Sequence, residues 1–252
     1  MHAIFRLPII ALAAISGLAT GTPITLRVVA QESIPPKWIA GDRKITGVCP
    51  DILAAIEKVE PRLRFSHGPE ARSIPFLEQG LEDGKMAAAC ALLDTERRRQ
   101  IAQIVGPPLY MVRHRIAARS DDTAAIGSIA ELVKLKPLIN TQRSAGYANQ
   151  LRALGLDVDD SSGDNLVNLK KVVAGHGRFF YINELTLTWL LEKEQFKGKV
   201  RMLDWVVKEE PIYFHVSKKS PAATVQLVDQ ALFKLKKNGE LARIYARWAA
   251  AR

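Results

Sequence analysis

Short β-branched stretches alternate with segments of helical periodicity along almost the whole chain, and this alternation narrows the fold more than any other feature. Residues 24–30 (ITLRVVA) are β-branched and apolar, as a strand requires. A loop with Pro35-Pro36 and Gly41 follows. Residues 50–59 predict a helix, with Pro50 at its first position and Ile52, Leu53, Ile56 and Val59 on one face. Residues 63–65 are a second strand. Ile74, Leu77 and Leu81 mark a second helix that stops at Gly84. Residues 86–93 (MAAACALL) are short and apolar, which fits a buried strand. The order β-α-β-α-β is that of a parallel sheet covered by helices.

A second series follows. Asp94 or Thr95 can cap a short helix through Ala102, which Gly106-Pro107-Pro108 ends. Residues 115–118 are extended. Ile129, Leu132 and Val133 form a helix face, and residues 137–140 a strand. Residues 146–154 are a helix ended by Gly155, and Leu166, Leu169 and Val172 mark another. Residues 178–182 (RFFYI) are a strand, 184–193 a helix and 200–206 extended. Residues 212–217 are the last strand. Ser220-Pro221 opens a helix lined by Val225, Val228, Leu232 and Leu235, which Asn238-Gly239 closes. Leu241, Ile244, Tyr245 and Trp248 are the apolar face of the final helix. Two β/α series without a flexible linker predict two lobes. Ligands of open α/β sheets bind beyond the carboxyl ends of the strands, so facing sheets would share one cleft.

The first 21 residues stand apart. Arg6 precedes an uncharged stretch over residues 7–18, and small residues follow. This is the layout of a secretory signal peptide, cut after Gly21 or Ala19. The stretch is shorter than the roughly 20 apolar residues a spanning helix needs. The chain of 252 residues carries a formal charge of +10, yet its longest basic run is only Arg97-Arg98-Arg99. Without a zinc-finger or RNA-stacking motif, this points to a solvated basic surface rather than to nucleic acid. The two cysteines, Cys49 and Cys90, are an even count in an exported chain; a bridge and two buried thiols both fit.

Four segments carry a family resemblance. Ile45-Thr46-Gly47-Val48-Cys49-Pro50-Asp51-Ile52 resembles a G-x-x-x-D-I/L helix entry. Leu81-Glu82-Asp83-Gly84-Lys85 followed by Thr95-Glu96-Arg97-Arg98 resembles L-x-x-G-K/R … T-P-E-R. Asn165-Leu166 with Leu169, followed by Gly177-Arg178, resembles N-L-x-x-L … G-R. Phe214-His215-Val216-Ser217-Lys218-Lys219-Ser220-Pro221, through Gly239-Glu240-Leu241-Ala242-Arg243-Ile244-Tyr245, resembles a "SKksp … GelakIy" ending. Together these resemble the periplasmic solute-binding protein family 3, the polar amino-acid ABC-transporter type. Aspartate often follows G-K and G-R in that family; here Ala87 and Phe180 stand near those places, and T-P-E-R lacks its proline.

The resemblance implies an α/β two-lobe periplasmic-binding-protein fold of type II, closing about a hinge on its ligand. Lobe 1 would be residues 22–112 plus 208–252, and lobe 2 residues 113–207, with crossings near 113–119 and 206–211. It implies that Arg98 grips a ligand carboxylate through two parallel hydrogen bonds. Arg97 and Arg99 compete by one position. Thr95 would cap the helix or assist at the same carboxylate. Trp38 would stack on the ligand or anchor its loop; Glu32 shares that loop. Thr141 and Ser144, with Gln142 and Arg143 between them, would donate from lobe 2. Glu184, beside Asn183, would neutralise a ligand ammonium or serve as a helix-start acid.

The implied function is capture of a small amino acid or organic acid by a periplasmic monomer, for an ABC permease in the inner membrane. Some proteins of this fold are instead cyclohexadienyl-type dehydratases, and a solute sensor without a transport role has the same sequence features. No catalytic pair of carboxylates, metal-ligand spacing, Walker A or other cofactor motif stands out, so neither enzyme activity, a metal nor a cofactor is expected.

Overall fold

The computed structural model describes residues 22–41 and 44–250. The expected signal peptide, residues 1–21, lies outside the described residues.

The chain begins with β1 (Ile24–Gln31), the two-residue strands β2 (Ile39–Ala40) and β3 (Ile45–Thr46), α1 (Val48–Val59) and β4 (Leu63–Arg72). Then come α2 (Ile74–Asp83), β5 (Ala88–Leu93), α3 (Glu96–Ile101) and β6 (Ala102–Arg119). The middle of the chain holds α4 (Ile129–Leu135), β7 (Leu138–Asn140), α5 (Gly146–Ala153), β8 (Asp157–Asp159) and α6 (Asn165–Val173). After β9 (Phe179–Asn183), α7 (Glu184–Leu191), β10 (Val200–Met202) and β11 (Lys208–Ser217), helices α8 (Ala222–Lys237) and α9 (Glu240–Ala250) close the chain.

β1 and β4 pair in parallel. The larger sheet runs β5-β11-β6-β9-β7-β8, with β10 also on β6. β6 and β11 are the spine of the molecule. At one end β11 lies between β5 and β6; at the other, β6 lies beside β9. On this antiparallel ladder His114 faces Lys208 and Arg113 faces Glu209, and beyond it Arg115–Ala118 of β6 pair with β9 instead. The fold is thus α/β and two-lobed, with helices on mixed sheets. Its core is a near-continuous set of buried apolar side chains that includes Phe179, Phe180, Phe196 and Phe214.

Several local features differ from the sequence reading. α1 starts at Val48, so Pro50 is its third residue and not its first, and β4 runs on to Arg72. The helix capped near Thr95 ends at Ile101, and β6 runs straight through Gly106-Pro107-Pro108. A bulge makes this workable, because the β11 register skips between Ile212 and Phe214 there, and prolines fit where the ladder is interrupted. Gly106 has φ +68, and a Cβ on it would lie 2.5 Å from the Leu232 Cβ. β11 begins at Lys208, not at Ile212. Pro221, not Ser220, is the N-cap of α8.

Cys49 in the first turn of α1 and Cys90 in β5 form a disulfide, with Cα atoms 5.9 Å apart. It ties the helix to the strand that forms one wall of the cleft described next.

Candidate functional site

Residues from both lobes line one cavity. The first lobe contributes Gln31 at the end of β1, Lys37 in the following loop, Ala91–Leu93 of β5 and Arg98 of α3. The spine strands contribute Tyr110, Val112, His114 and Ile212. The second lobe contributes Gln142, Tyr147 of α5, Asn183 and Thr186.

Arg98 reaches this cavity because α3 is short and firmly started. Thr95 is its N-cap, and the Thr95 hydroxyl oxygen accepts from the Arg98 N–H at 3.3 Å. The residue is only 2% exposed. Its Nε donates to Glu78 at 2.9 Å and its Nη1 to the Leu93 carbonyl at 2.9 Å. Nη2 has no protein partner among the described residues. The two bonds fix the guanidinium plane and leave Nη2 to donate to a carboxylate.

Lys37 is a second buried cation, 6% exposed. Its Nζ donates to the Gln31 side-chain oxygen and, at 2.9 Å, to the Ala91 carbonyl. Among the described residues no carboxylate pairs with it. Burial, and the neighbouring Arg98 charge, push the ammonium down to about 7. Its position is fixed from behind. The Val48 and Cys49 N–H groups at the start of α1 donate to the Pro36 and Lys37 carbonyls at 3.0 and 3.1 Å. Only glycine permits that approach: Gly47 has φ +130, and a Cβ there would lie 2.4 Å from the Pro36 oxygen.

Other polar groups line the cavity. The Tyr147 hydroxyl is buried beside Thr141. His114 packs edge-on against Tyr147 and stacks on Tyr181. Its Nε2 lies 3.0 Å from Glu210, outside hydrogen-bond geometry, and neither ring nitrogen has a partner.

The lobes touch around the cavity. Ser33 Oγ donates to Asp164 at 2.9 Å and accepts from the Asn165 N–H at 2.7 Å. Gln142 Nε2 donates to the Glu32 carbonyl at 3.2 Å, and Gln31 Nε2 donates to Gln142 Oε1 at 3.4 Å. This is a closed arrangement.

The residues singled out from the sequence are distributed unevenly. Arg98 lines the inner cavity and also an outer one, which holds Thr95 and Ser144. A Cβ on Gly146, two residues after Ser144, would lie 3.0 Å from the Thr95 methyl. Thr141 lies deeper, its hydroxyl donating to the Tyr181 carbonyl at 2.8 Å. Trp38 is packed in the first-lobe core, while its neighbour Lys37 lines the cavity. Glu184 lines a separate hollow with Trp189, Tyr245 and Trp248, and pairs there with Arg113 at 2.6 Å and Arg115 at 3.0 Å. The neutral Asn183 stands at the main cavity instead, capping α7 through its side-chain oxygen. Sequence reasoning missed Lys37, Gln31, His114 and Tyr147. The Pro35-Pro36 loop ahead of a glycine-started helix was the one local signal for Lys37.

Among the described residues no group of three or more His, Cys, Asp or Glu could hold a metal ion, and no helix is long and apolar enough to cross a membrane.

The comparisons agree with this architecture. The L-glutamate/L-aspartate-binding protein of Pseudomonas aeruginosa is 25% identical over 199 residues, 75% of this chain and 61% of that protein. The chain therefore spans under two thirds of that relative's length. A histidine kinase sensor domain with similarity to periplasmic binding proteins superposes with a TM-score of 0.76 at 17% identity, covering 90% of this chain and 97% of that one. An ancestral amino-acid-binding protein, a precursor of cyclohexadienyl dehydratase, gives 0.73 at 18% identity, covering 89% and 94%. Residues 26–251, nearly everything described, match one family over their length, and the chain belongs to the bacterial extracellular solute-binding proteins, family 3.

Proposed function

We propose that the protein captures a small carboxylate-bearing solute between its lobes and delivers it to an ABC-type permease of the inner membrane. The observation that carries this reading is Arg98: a buried guanidinium in a cavity built by both lobes, fixed through Nε and Nη1 with Nη2 left to donate. Residues 22–112 with 208–252 act as one lobe and residues 113–207 as the other, turning about the β6–β11 ladder. Ligand contacts made to both lobes at once favour the closed state, which is what a solute must do to shift such an equilibrium. Arg98 and Thr95 act from the first lobe, with Ser144 at the outer rim of the second. Thr141 supports the β7–α5 loop from beneath, and Trp38 holds the loop of Lys37. Export through the segment at residues 1–21 places the protein in the periplasm as a monomer.

The Pseudomonas relative, named for two acidic amino acids, supports a carboxylate-bearing solute. We read the role as binding without turnover. Among the described residues the acid bonded to the cavity's cations is Glu78, which is committed to Arg98.

The test is a thermal-shift screen of the exported protein with amino acids, organic acids and prephenate, with product formation followed alongside. Binding to the folded state raises the melting temperature. A carboxylate that stabilises the protein and is recovered unchanged supports the reading. Stabilisation by solutes without a carboxylate alone contradicts it, and turnover of prephenate replaces it with a dehydratase.

A further inference from the structure

We propose that the solute carries two anionic groups and no ammonium, with one carboxylate held by Arg98 and the second anionic group by Lys37. This rests on the carboxylate-capture reading above and names the solute class of the same cavity.

The hydrogen-bond inventory of the cavity is one-sided. An ammonium ligand would need strong acceptors, yet each of the following oxygens around the cavity already takes a hydrogen bond from a protein donor. The Gln31 side-chain oxygen accepts from Lys37, and the Gln142 oxygen from Gln31. Asn183 Oδ1 accepts from the Thr186 N–H at 2.9 Å. The Ala91 and Leu93 carbonyls accept from Lys37 and Arg98. Of the nearby carboxylates, Glu78 is bound to Arg98, Glu210 lies behind His114 and pairs with Lys208, and Glu184 is held by Arg113 and Arg115 in its separate hollow.

Donors, by contrast, are in surplus. An ammonium has three protons, and Lys37 spends two on neutral oxygens. Among the described residues Arg98 Nη2 has no protein partner. Two buried cations sharing one carboxylate between them leave positive charge uncompensated, and burying such charge is costly until an anion joins it. Their carbonyl anchors, Ala91 and Leu93, are two residues apart on β5, so both cations stand over one strand. A ligand ammonium would be placed against that charge, and among the described residues no carboxylate lines this cavity to receive it.

The experiment is isothermal titration of the exported protein at pH 6.5 with two matched pairs: succinate against L-aspartate, and glutarate against L-glutamate. We expect at least one dicarboxylate to bind ten-fold or more tighter than its aminated partner. Lys37→Met should weaken that dicarboxylate about a hundred-fold and change the monocarboxylate butyrate less than three-fold, with the circular dichroism spectrum unchanged. If the amino acids bind as tightly as their partners or tighter, the inference is overturned while carboxylate capture stands. If Lys37→Met leaves dicarboxylate affinity unaltered, the role of Lys37 is likewise overturned. If none of the four acids nor butyrate binds, carboxylate capture itself fails and the inference with it.

Discussion

The Lys37 ammonium donates to the Ala91 carbonyl at 2.9 Å, across 54 residues of sequence, and Ala91 adopts φ +58 inside a strand to present it. A left-handed conformation at a non-glycine costs roughly 1–2 kcal/mol. The strain sits at the wall of the proposed site and next to the bridged Cys90, so the surrounding structure holds it in place.

Lys37 also sets a pH dependence. The groups that face it or its neighbours are Arg98 on α3, His114 and Tyr110 on β6 and Tyr147 on α5, with Glu78 behind Arg98 and Glu210 behind His114. With its ammonium brought down to about 7 by burial and by Arg98, the free protein loses this proton near neutrality, whereas the unfolded chain keeps it to about 10.4. Between those limits the unfolded state binds more protons, so the stability of the free protein rises with pH, by at most about 1.4 kcal/mol per unit. An anionic solute restores the proton, so affinity falls as pH rises from 6 to 9. Calorimetry in buffers of different ionisation enthalpy at pH 8 should register proton uptake on binding; pH-independent affinity would contradict it.

Gly47 is the hinge pin of the Lys37 loop. A methyl group there must displace the Pro36 and Lys37 carbonyls, and φ +130 strains any other residue. Gly47→Ala should cost about 3 kcal/mol in urea unfolding. It should also weaken solute binding. A stable variant with full affinity would show that the α1 start does not position Lys37.

The Cys49–Cys90 bridge closes a loop of 41 residues' separation. By the loop-entropy relation it stabilises the protein by roughly 4 kcal/mol. Urea titrations with and without reductant should differ by about that amount. Identical midpoints, with thiols shown to be released only under reductant, would remove the bridge from the stability account.

Ser33 latches the lobes. Ser33→Ala takes away a donor to Asp164 and leaves the Asn165 N–H without its acceptor. An unmet buried group costs about 1–2 kcal/mol, here charged to the closed state alone. Solute affinity should fall roughly five- to thirty-fold. Unchanged affinity would mean that closure does not draw on this contact.

What the sequence revealed, and what it hid, follows from range. Thr95 and Arg98 could be read together because an N-cap and a residue three positions on are a local relation, and α3 forms where that spacing predicts. The strands and long helices were legible from their periodicity for the same reason. The Gly106-Pro107-Pro108 stop signal was genuine, but the long-range partner β11 absorbs it in a bulge. Lys37 could not be found by type, since lysines are ordinarily exposed; it is buried by Gly47, the bridge and a carbonyl 54 residues away. Trp38 and Lys37 are adjacent and face opposite ways, which a loop sequence does not encode. The surroundings of Glu184 are set by Arg113 and Arg115 on another strand, some seventy residues earlier.

The central claim is that Arg98 grips a solute carboxylate, and titration of an Arg98 variant tests it most directly. Arg98→Met is best made together with Glu78→Gln, so that no carboxylate is left without its buried partner. The acid that stabilises the wild-type protein most in the screen is then titrated calorimetrically into both proteins. We predict a hundred-fold or greater loss of affinity in the double variant, with its unfolding still cooperative. Equal affinity in the two proteins would contradict the account.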